Sequence, residues 1–101
     1  MERWADFLIT CTTHDSTGHR IVSVGAVPDL GDITGPGATW TRDLVIKAIE
    51  RGFSFRTAPR GTDSKLTKGA LVEVVTIHGE KFLRTDRNAV KADNLGALPA
   101  C

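Results

Sequence analysis

In one stretch of this chain the apolar residues recur at the spacing of an α-helix, and this stretch limits which folds the whole chain can adopt. The residues that repeat there at helical intervals are Leu44, Val45, Ala48 and Ile49. They form one apolar stripe, so one side of the helix packs against a core. Thr41 is a favourable N-cap before the stripe, and Gly52 suits the left-handed turn that ends a helix. The pattern predicts a helix over about 42–51, and the rest of the core must come from strands.

The other apolar segments alternate between apolar and polar residues, which is typical of half-buried strands. We predict strands at 7–11, 21–25, 53–57, 71–77 and 81–85. The polar stretch 14–18 joins the first two as an antiparallel hairpin, and a turn at 78–80 joins the last two. In the third strand, alternation predicts that Phe53 and Phe55 both point inward.

The resulting order is β-β-α-β-β-β, which predicts an α+β fold of two layers. A small antiparallel sheet forms one layer, and the helix packs on one of its faces. The Gly- and Pro-rich stretch 28–39 is predicted to be a loop, and 86–101 is predicted to be irregular or to carry one short helical turn near Ala89 to Ala92. Neither side of the loop can bury a core alone, so residues 1–101 are expected to form a single domain.

Composition excludes several classes of protein. The 13 Lys and Arg residues nearly cancel the 12 Asp and Glu residues, which argues against a polycation or a disordered acidic tail. No apolar run approaches the roughly 18 residues of a membrane span, and charges near the first residues argue against a signal peptide. Small secreted domains use more than the two cysteines present, so a cytoplasmic location is expected.

Basic residues are concentrated between positions 51 and 68, where the only acidic residue is Asp63. They are Arg51, Arg56, Arg60, Lys65 and Lys68. One interpretation is a solvated surface, and the other is a weak site for nucleic acid or another anion. Because alternation places both neighbouring phenylalanines inward and the net charge is only +1, nucleic acid ranks below a protein partner.

Four residues are of the types that bind zinc. The same residues could alternatively form a catalytic site with a cysteine nucleophile. They are Cys11, His14, His19 and Cys101. Alternation places Cys11 on the same face as Phe7 and Ile9, which favours a buried apolar cysteine, and the spacing fits no standard zinc pattern. We therefore predict no metal, no cofactor and no catalytic residue, and we do not expect an enzyme from so small a domain. Whether the cysteines are free, bridged or metal-bound stays open.

Motifs spread along most of the chain resemble one small bacterial family. They are Thr10-Cys11, Ile21-x-x-Val24-Gly25, Trp40-Thr41, Ile49-Glu50-x-Gly52 with Phe55, Phe82-Leu83-Arg84-Thr85, Asp93-Asn94-Leu95 and Leu98-Pro99-x-Cys101. In order and spacing they resemble the family known as domain of unknown function 3892. The chain departs from it at Phe82, where the family often has Tyr, and in a longer loop before Trp40. The resemblance implies a soluble bacterial protein, and it supplies no catalytic residue.

The resemblance also singles out Arg84, Thr85, Asp93 and Asn94. We expect Arg84 to pair with Asp93 and Asn94 to cap nearby backbone, which would pin the irregular tail to the last strand. The alternative is a ligand site formed by the same residues.

Taken together, the sequence predicts a non-enzymatic binding module for a protein partner or a second copy. The alternatives are a weak nucleic-acid-binding module and a small structural zinc-binding domain. Trp4 is expected either to anchor an interface or to pack on the sheet edge.

Overall fold

The computed structural model of the chain describes residues 4–18, 20–31, 34–59, 66–85, 95 and 98–101. Its elements are, in chain order, β1 (Phe7–His14), β2 (Ile21–Pro28), β3 (Ala38–Thr41), α1 (Arg42–Glu50), β4 (Phe55–Thr57), β5 (Glu73–Ile77) and β6 (Glu80–Arg84). One helix packed against short strands confirms the predicted α+β class.

The strands form two sheets rather than one antiparallel sheet. The larger has the order β3-β2-β1-β4, and β5 and β6 pair in a separate antiparallel hairpin. β1 and β2 pair antiparallel as predicted, whereas β4 lies parallel to β1 with Phe55 opposite Phe7. The physical reason is the helix between β3 and β4. The helix returns the chain to the end of the sheet where β3 begins, so β4 runs in the same direction as β3. β1 also has this direction, because β1 and β3 are both antiparallel to β2.

β3 corrects the prediction of a loop through residue 39. It pairs antiparallel with β2 and places Trp40 opposite Val24 at the edge of the sheet. Thr41 ends this strand and also caps α1, because its hydroxyl accepts a hydrogen bond from the Leu44 N–H at 3.3 Å. The helix itself follows the prediction closely. In the described part of the chain, no helix is long and apolar enough to cross a membrane.

The main core lies between the larger sheet, α1 and the β5–β6 hairpin. Its fully buried side chains include Ile9, Val24, Val45, Phe55 and Leu83. The hairpin turn has positive φ at His78 and Gly79, which is the geometry of a tight two-residue connection.

The opposite face of the larger sheet carries a smaller apolar cluster around Leu8. Trp4 is half-buried and packs against this cluster. Of the two roles expected for Trp4, packing on the sheet is therefore the one that agrees with its position. Both faces of the sheet are therefore covered with apolar side chains near the start of β1.

Candidate functional site

Four aromatic rings meet where β1 begins, and most of them reach the surface. Phe7 lies at the centre, with its ring centroid 4.9 Å from Trp40, 5.1 Å from Phe55 and 6.2 Å from Phe53. Phe55 is fully buried and supports the cluster from below. The other rings form a rigid apolar surface whose packing fixes their orientations.

The exposed side of this cluster forms a groove of about 310 Å³ against α1. We call it the aromatic groove, and its lining residues are Phe7, Trp40, Leu44, Lys47, Ala48, Arg51 and Phe53. Leu44 and Phe53 both line the groove, and each is 50% exposed. The groove is therefore a candidate site for an apolar group of a partner.

Phe53 reaches the groove because of how α1 ends. The Gly52 N–H donates to the Ile49 carbonyl at 3.0 Å, and the Phe53 N–H donates to the Ala48 carbonyl at 3.0 Å. These two bonds, with φ of 100° at Gly52, are those of a Schellman motif. The prediction that Phe53 points into the core is wrong, because Phe53 belongs to this helix end and β4 starts two residues later.

A reciprocal set of hydrogen bonds holds Phe7 and Phe53 next to each other. The Ser54 N–H donates to the Asp6 carboxylate at 2.8 Å. In return, the N–H groups of Asp6 and Phe7 both donate to the Ser54 carbonyl at 3.1 Å. Because each partner adjoins a phenylalanine, this pairing fixes one end of the aromatic groove.

Two exposed cations flank the groove. Lys47 lies in α1, and Arg51 is the C-cap residue one turn later; neither forms an ion pair with any residue that the structure describes. The charged groove between α1 and the β5–β6 turn differs, because there Lys81 pairs with Glu50 at 2.5 Å and Arg20 pairs with Glu80 at 2.8 Å. Lys47 also lines this charged groove, beside Asp43 and Glu50, whereas Arg51 lines the aromatic groove. Two exposed cations that form no ion pair with a described residue therefore lie at the aromatic groove.

The structure separates the basic residues that the sequence grouped together. Arg51 flanks the aromatic groove, whereas Arg56 lies on the other face of the sheet, since it falls between Phe55 and Thr57 on β4. The Arg56 guanidinium donates to the Gly69 carbonyl at 2.9 Å, so it already has a structural partner. Lys68 is exposed, and Arg60 and Lys65 lie outside the described residues.

Cys11 and Cys101 form a disulfide, which answers the question that the sequence left open. Cys11 does not share a face with Ile9 as predicted. A β-bulge at Thr10 shifts the register so that Ile9 lies opposite Ala26 and Cys11 lies opposite Gly25. The extra residue turns Cys11 to the face away from α1.

The disulfide leaves no thiolate for a metal or for nucleophilic attack. His14 is exposed at the end of β1, and His19 lies outside the described residues. Among the residues that are described, no group of three or more His, Cys, Asp or Glu side chains is placed to hold a metal ion.

The last predicted cluster is only partly described. Arg84 is 3% exposed and lies opposite Glu73 in the β5–β6 hairpin, and Thr85 is half-buried beside it. Asp93 and Asn94 lie outside the described residues, so their pairing with this strand stays a prediction.

Sequence reasoning missed the aromatic groove as a unit. Its members come from β1, β3, α1 and the turn after α1, and only the mixed sheet brings them together. One local signal was available, because an apolar residue directly after a helix-ending glycine is typical of a Schellman motif. That pattern would have placed Phe53 against the helix rather than in the core.

Comparison with known proteins adds a family but no activity. The family described as Protein of unknown function (DUF3892) matches residues 8–99. No curated protein and no solved structure matches the chain.

Proposed function

The chain belongs to the DUF3892 family, and because no activity comes with that membership, we propose a function from the aromatic groove. The protein is a binding module for another protein, and the groove accepts an apolar side chain from a partner segment that also carries acidic residues. The observation that supports this most is an exposed aromatic surface flanked by two cations that form no ion pair with any described residue.

The apolar part of the groove supplies affinity. Leu44 and Phe53 would lose their remaining exposure against a partner, and Trp40 is of the residue type that most often dominates binding energy. Phe7 and Phe55 hold these rings before a partner arrives, so little conformational entropy is lost on binding.

The cations supply selectivity. Lys47 and Arg51 are exposed, so each ion pair with a partner contributes only about 0.2–1 kcal/mol. Such charges act mainly on the association rate and on the choice of partner, since they attract acidic segments and repel basic ones. We therefore commit to an acidic partner rather than to any apolar one.

Nucleic acid is less well supported as the ligand. Phe53 is an exposed ring beside Arg51, which suits base stacking. However, Arg56 is engaged with backbone on the opposite face, and the net charge of the chain is only +1. A backbone-tracking nucleic-acid groove needs a longer basic surface than Lys47 and Arg51 provide.

We also propose that the protein is located in the bacterial cytoplasm, as the sequence predicts. The Cys11–Cys101 disulfide makes this location testable, because cytosolic disulfides are mostly transient, whereas structural disulfides persist in oxidising compartments. In the cytoplasm the pair would be largely reduced. Alkylation of thiols in intact cells, followed by a non-reducing gel, measures that fraction.

The test uses two peptide pools and the indole N–H signal of Trp40 in a nuclear magnetic resonance titration. One pool has Leu or Phe between Asp and Glu residues, and the other has Lys in place of each acid. We expect the acidic pool to shift the Trp40 signal at lower concentration than the basic pool. Phe53→Ser should weaken binding roughly tenfold, the effect of about 1.4 kcal/mol. Leu30→Ser is the matched control, because Leu30 is equally apolar, 58% exposed and outside the groove.

Other occupants would appear as different results. A native mass that shows a dimer, abolished by Phe53→Ser, would make a second copy the occupant and overturn the acidic partner. A stronger shift with an oligothymidine than with either pool would favour nucleic acid. Equal shifts with both pools would refute the role of the cations.

A further inference from the structure

Residues 98–101 lie along the edge of β1, next to the place that β4 occupies. The Thr12 N–H donates to the Pro99 carbonyl at 3.0 Å, and the Cys101 N–H donates to the Thr12 carbonyl at 3.0 Å. Ala100 forms a parallel bridge with Thr12. β4 pairs with the same strand over Phe7–Ile9, so two segments share this edge of β1.

The disulfide fastens this short segment at Cys101. Cys101 is exposed and Cys11 is half-buried, so at least one half of the bond is open to another thiol. Gly25 makes room for the pair, since a Cβ there would lie 2.5 Å from the Cys11 sulfur and 3.4 Å from the Cys101 sulfur.

We propose that the Cys11–Cys101 disulfide is a reversible latch, and that its reduction by a dithiol protein releases residues 99–101 from β1 while the rest of the fold stays intact. This goes beyond the proposed function, because the latch and the aromatic groove are on opposite faces of the sheet.

Few contacts other than the disulfide hold the segment. In the described residues, two backbone hydrogen bonds reach it, both to Thr12, and Pro99, Ala100 and Cys101 are exposed. Leu98 is half-buried and packs against the core, whereas the three residues after it are exposed. Ile9 and Val24 are fully buried in a core that is formed mostly by the larger sheet, α1 and the β5–β6 hairpin, and none of residues 99–101 belongs to it.

One dithiol partner supplies both of the electrons that the reduction of the disulfide needs. A thiolate of the partner attacks the sulfur of Cys101, a mixed disulfide forms, and Cys11 leaves as a thiolate that takes up a proton. The partner's second thiol then attacks its own mixed-disulfide sulfur and releases Cys101, which is protonated in turn. The pair gains two electrons and two protons, and the partner becomes a disulfide.

Release also changes what the edge of β1 presents. The N–H and C=O of Thr12 lose their partners and become available to solvent or to another strand. Exchange of the Thr12 amide hydrogen with deuterium therefore reports directly on the latch.

The experiment compares amide exchange in the oxidised protein and after treatment with a thioredoxin-type dithiol or dithiothreitol. We expect exchange at Thr12 to rise tenfold or more on reduction. Exchange at Ala58 is the internal control, because its N–H donates to the Ile9 carbonyl at 2.8 Å on the same edge of β1. It should stay unchanged.

Two variants separate the disulfide from other effects of the reductant. Cys101→Ser should show fast Thr12 exchange without any reductant. Ala100→Ser changes an exposed residue of the same segment and keeps both sulfurs, so it should behave as the unmodified protein does.

Three results would overturn the latch. Thr12 could remain protected after reduction, which would mean that backbone contacts alone hold the segment. Thr12 and Ala58 could lose protection together, which would make the bond a staple of the whole fold. The folded protein could also resist the dithiol and react only after unfolding.

Discussion

At the scale of single residues, buried polar groups fasten irregular segments to the sheet. Asp29 is 4% exposed, and its carboxylate accepts hydrogen bonds from the N–H groups of Trp4 at 2.6 Å and Gly31 at 2.9 Å. Thr57 is buried on β4 and accepts from the Ala70 N–H at 3.0 Å. Across the described residues, no buried side-chain nitrogen or oxygen lacks a partner, so hydrogen bonds offset the cost of removing these groups from water.

Arg84 on β6 is a buried cation. It is 3% exposed, and an alanine would remove the guanidinium together with the interactions that this buried group makes. We expect Arg84→Ala to lower the free energy of unfolding by about 2 kcal/mol and to speed proteolysis near the end of the chain. Denaturant unfolding and limited proteolysis measure the two effects. Unchanged stability together with unchanged cleavage would refute the pinning role.

Asp15 organises the loop between β1 and β2. The Thr17 hydroxyl donates to its carboxylate at 2.8 Å, and the N–H groups of Thr17 and Gly18 donate at 3.1 and 3.0 Å. These bonds, the Thr17 hydroxyl first, lower the pKa of Asp15. Because the folded pKa lies below the unfolded one, this contribution is present above the unfolded pKa and disappears as pH falls through the folded pKa.

Thr17→Val should therefore raise the pKa of Asp15 toward its ordinary value, since the strongest donor is lost. Nuclear magnetic resonance titration of the Asp15 carboxyl carbon measures this. Thr13→Val is the control, because Thr13 is an exposed β-branched residue of β1 with no bond to this carboxylate. A shift of equal size in both variants would show that the loop, and not the hydroxyl, sets the pKa.

At the scale of elements, α1 and its two ends build the candidate site. Thr41 joins β3 directly to the helix, and Gly52 turns the chain back so that Phe53 lies against the last turn. Leu44, Lys47, Ala48 and Arg51 follow each other at helical spacing along the groove. The helix therefore positions both the apolar and the cationic parts of the surface.

Gly52→Ala tests this dependence. A Cβ at Gly52 meets nothing within 4 Å, so its cost is the strain of φ at 100°. We expect about 1 kcal/mol of lost stability and weaker binding of the acidic peptide pool, because Phe53 moves with the turn. Gly37→Ala is the matched control, since a Cβ there makes ordinary contact at 3.5 Å. Equal losses in the two variants would contradict this account of the helix end.

Local patterns predicted α1 and both hairpins because capping, periodicity and turn chemistry act between neighbours in the chain. Three features depended on distant partners and were not predicted. Trp40 is in a strand only because β2 pairs with it, and Cys11 changes face because of the bulge at Thr10. The aromatic groove exists only because β4 joins β1 in parallel.

At the scale of the whole molecule, the larger sheet separates two surfaces. The face toward α1 carries the aromatic groove, and the other carries the disulfide against Gly25. Partner binding and redox state can therefore be varied independently in the same chain.

The most direct test of the binding account is to invert the charge of the aromatic groove and measure peptide preference. In the double variant Lys47→Glu with Arg51→Glu, the apolar rings are untouched and both substitutions are on an exposed side of α1. Titration of the Trp40 indole signal should show that the unmodified protein prefers the acidic pool and the double variant prefers the basic pool. An unchanged preference, or no response of Trp40 to either pool, would contradict the proposal that this groove binds an acidic partner.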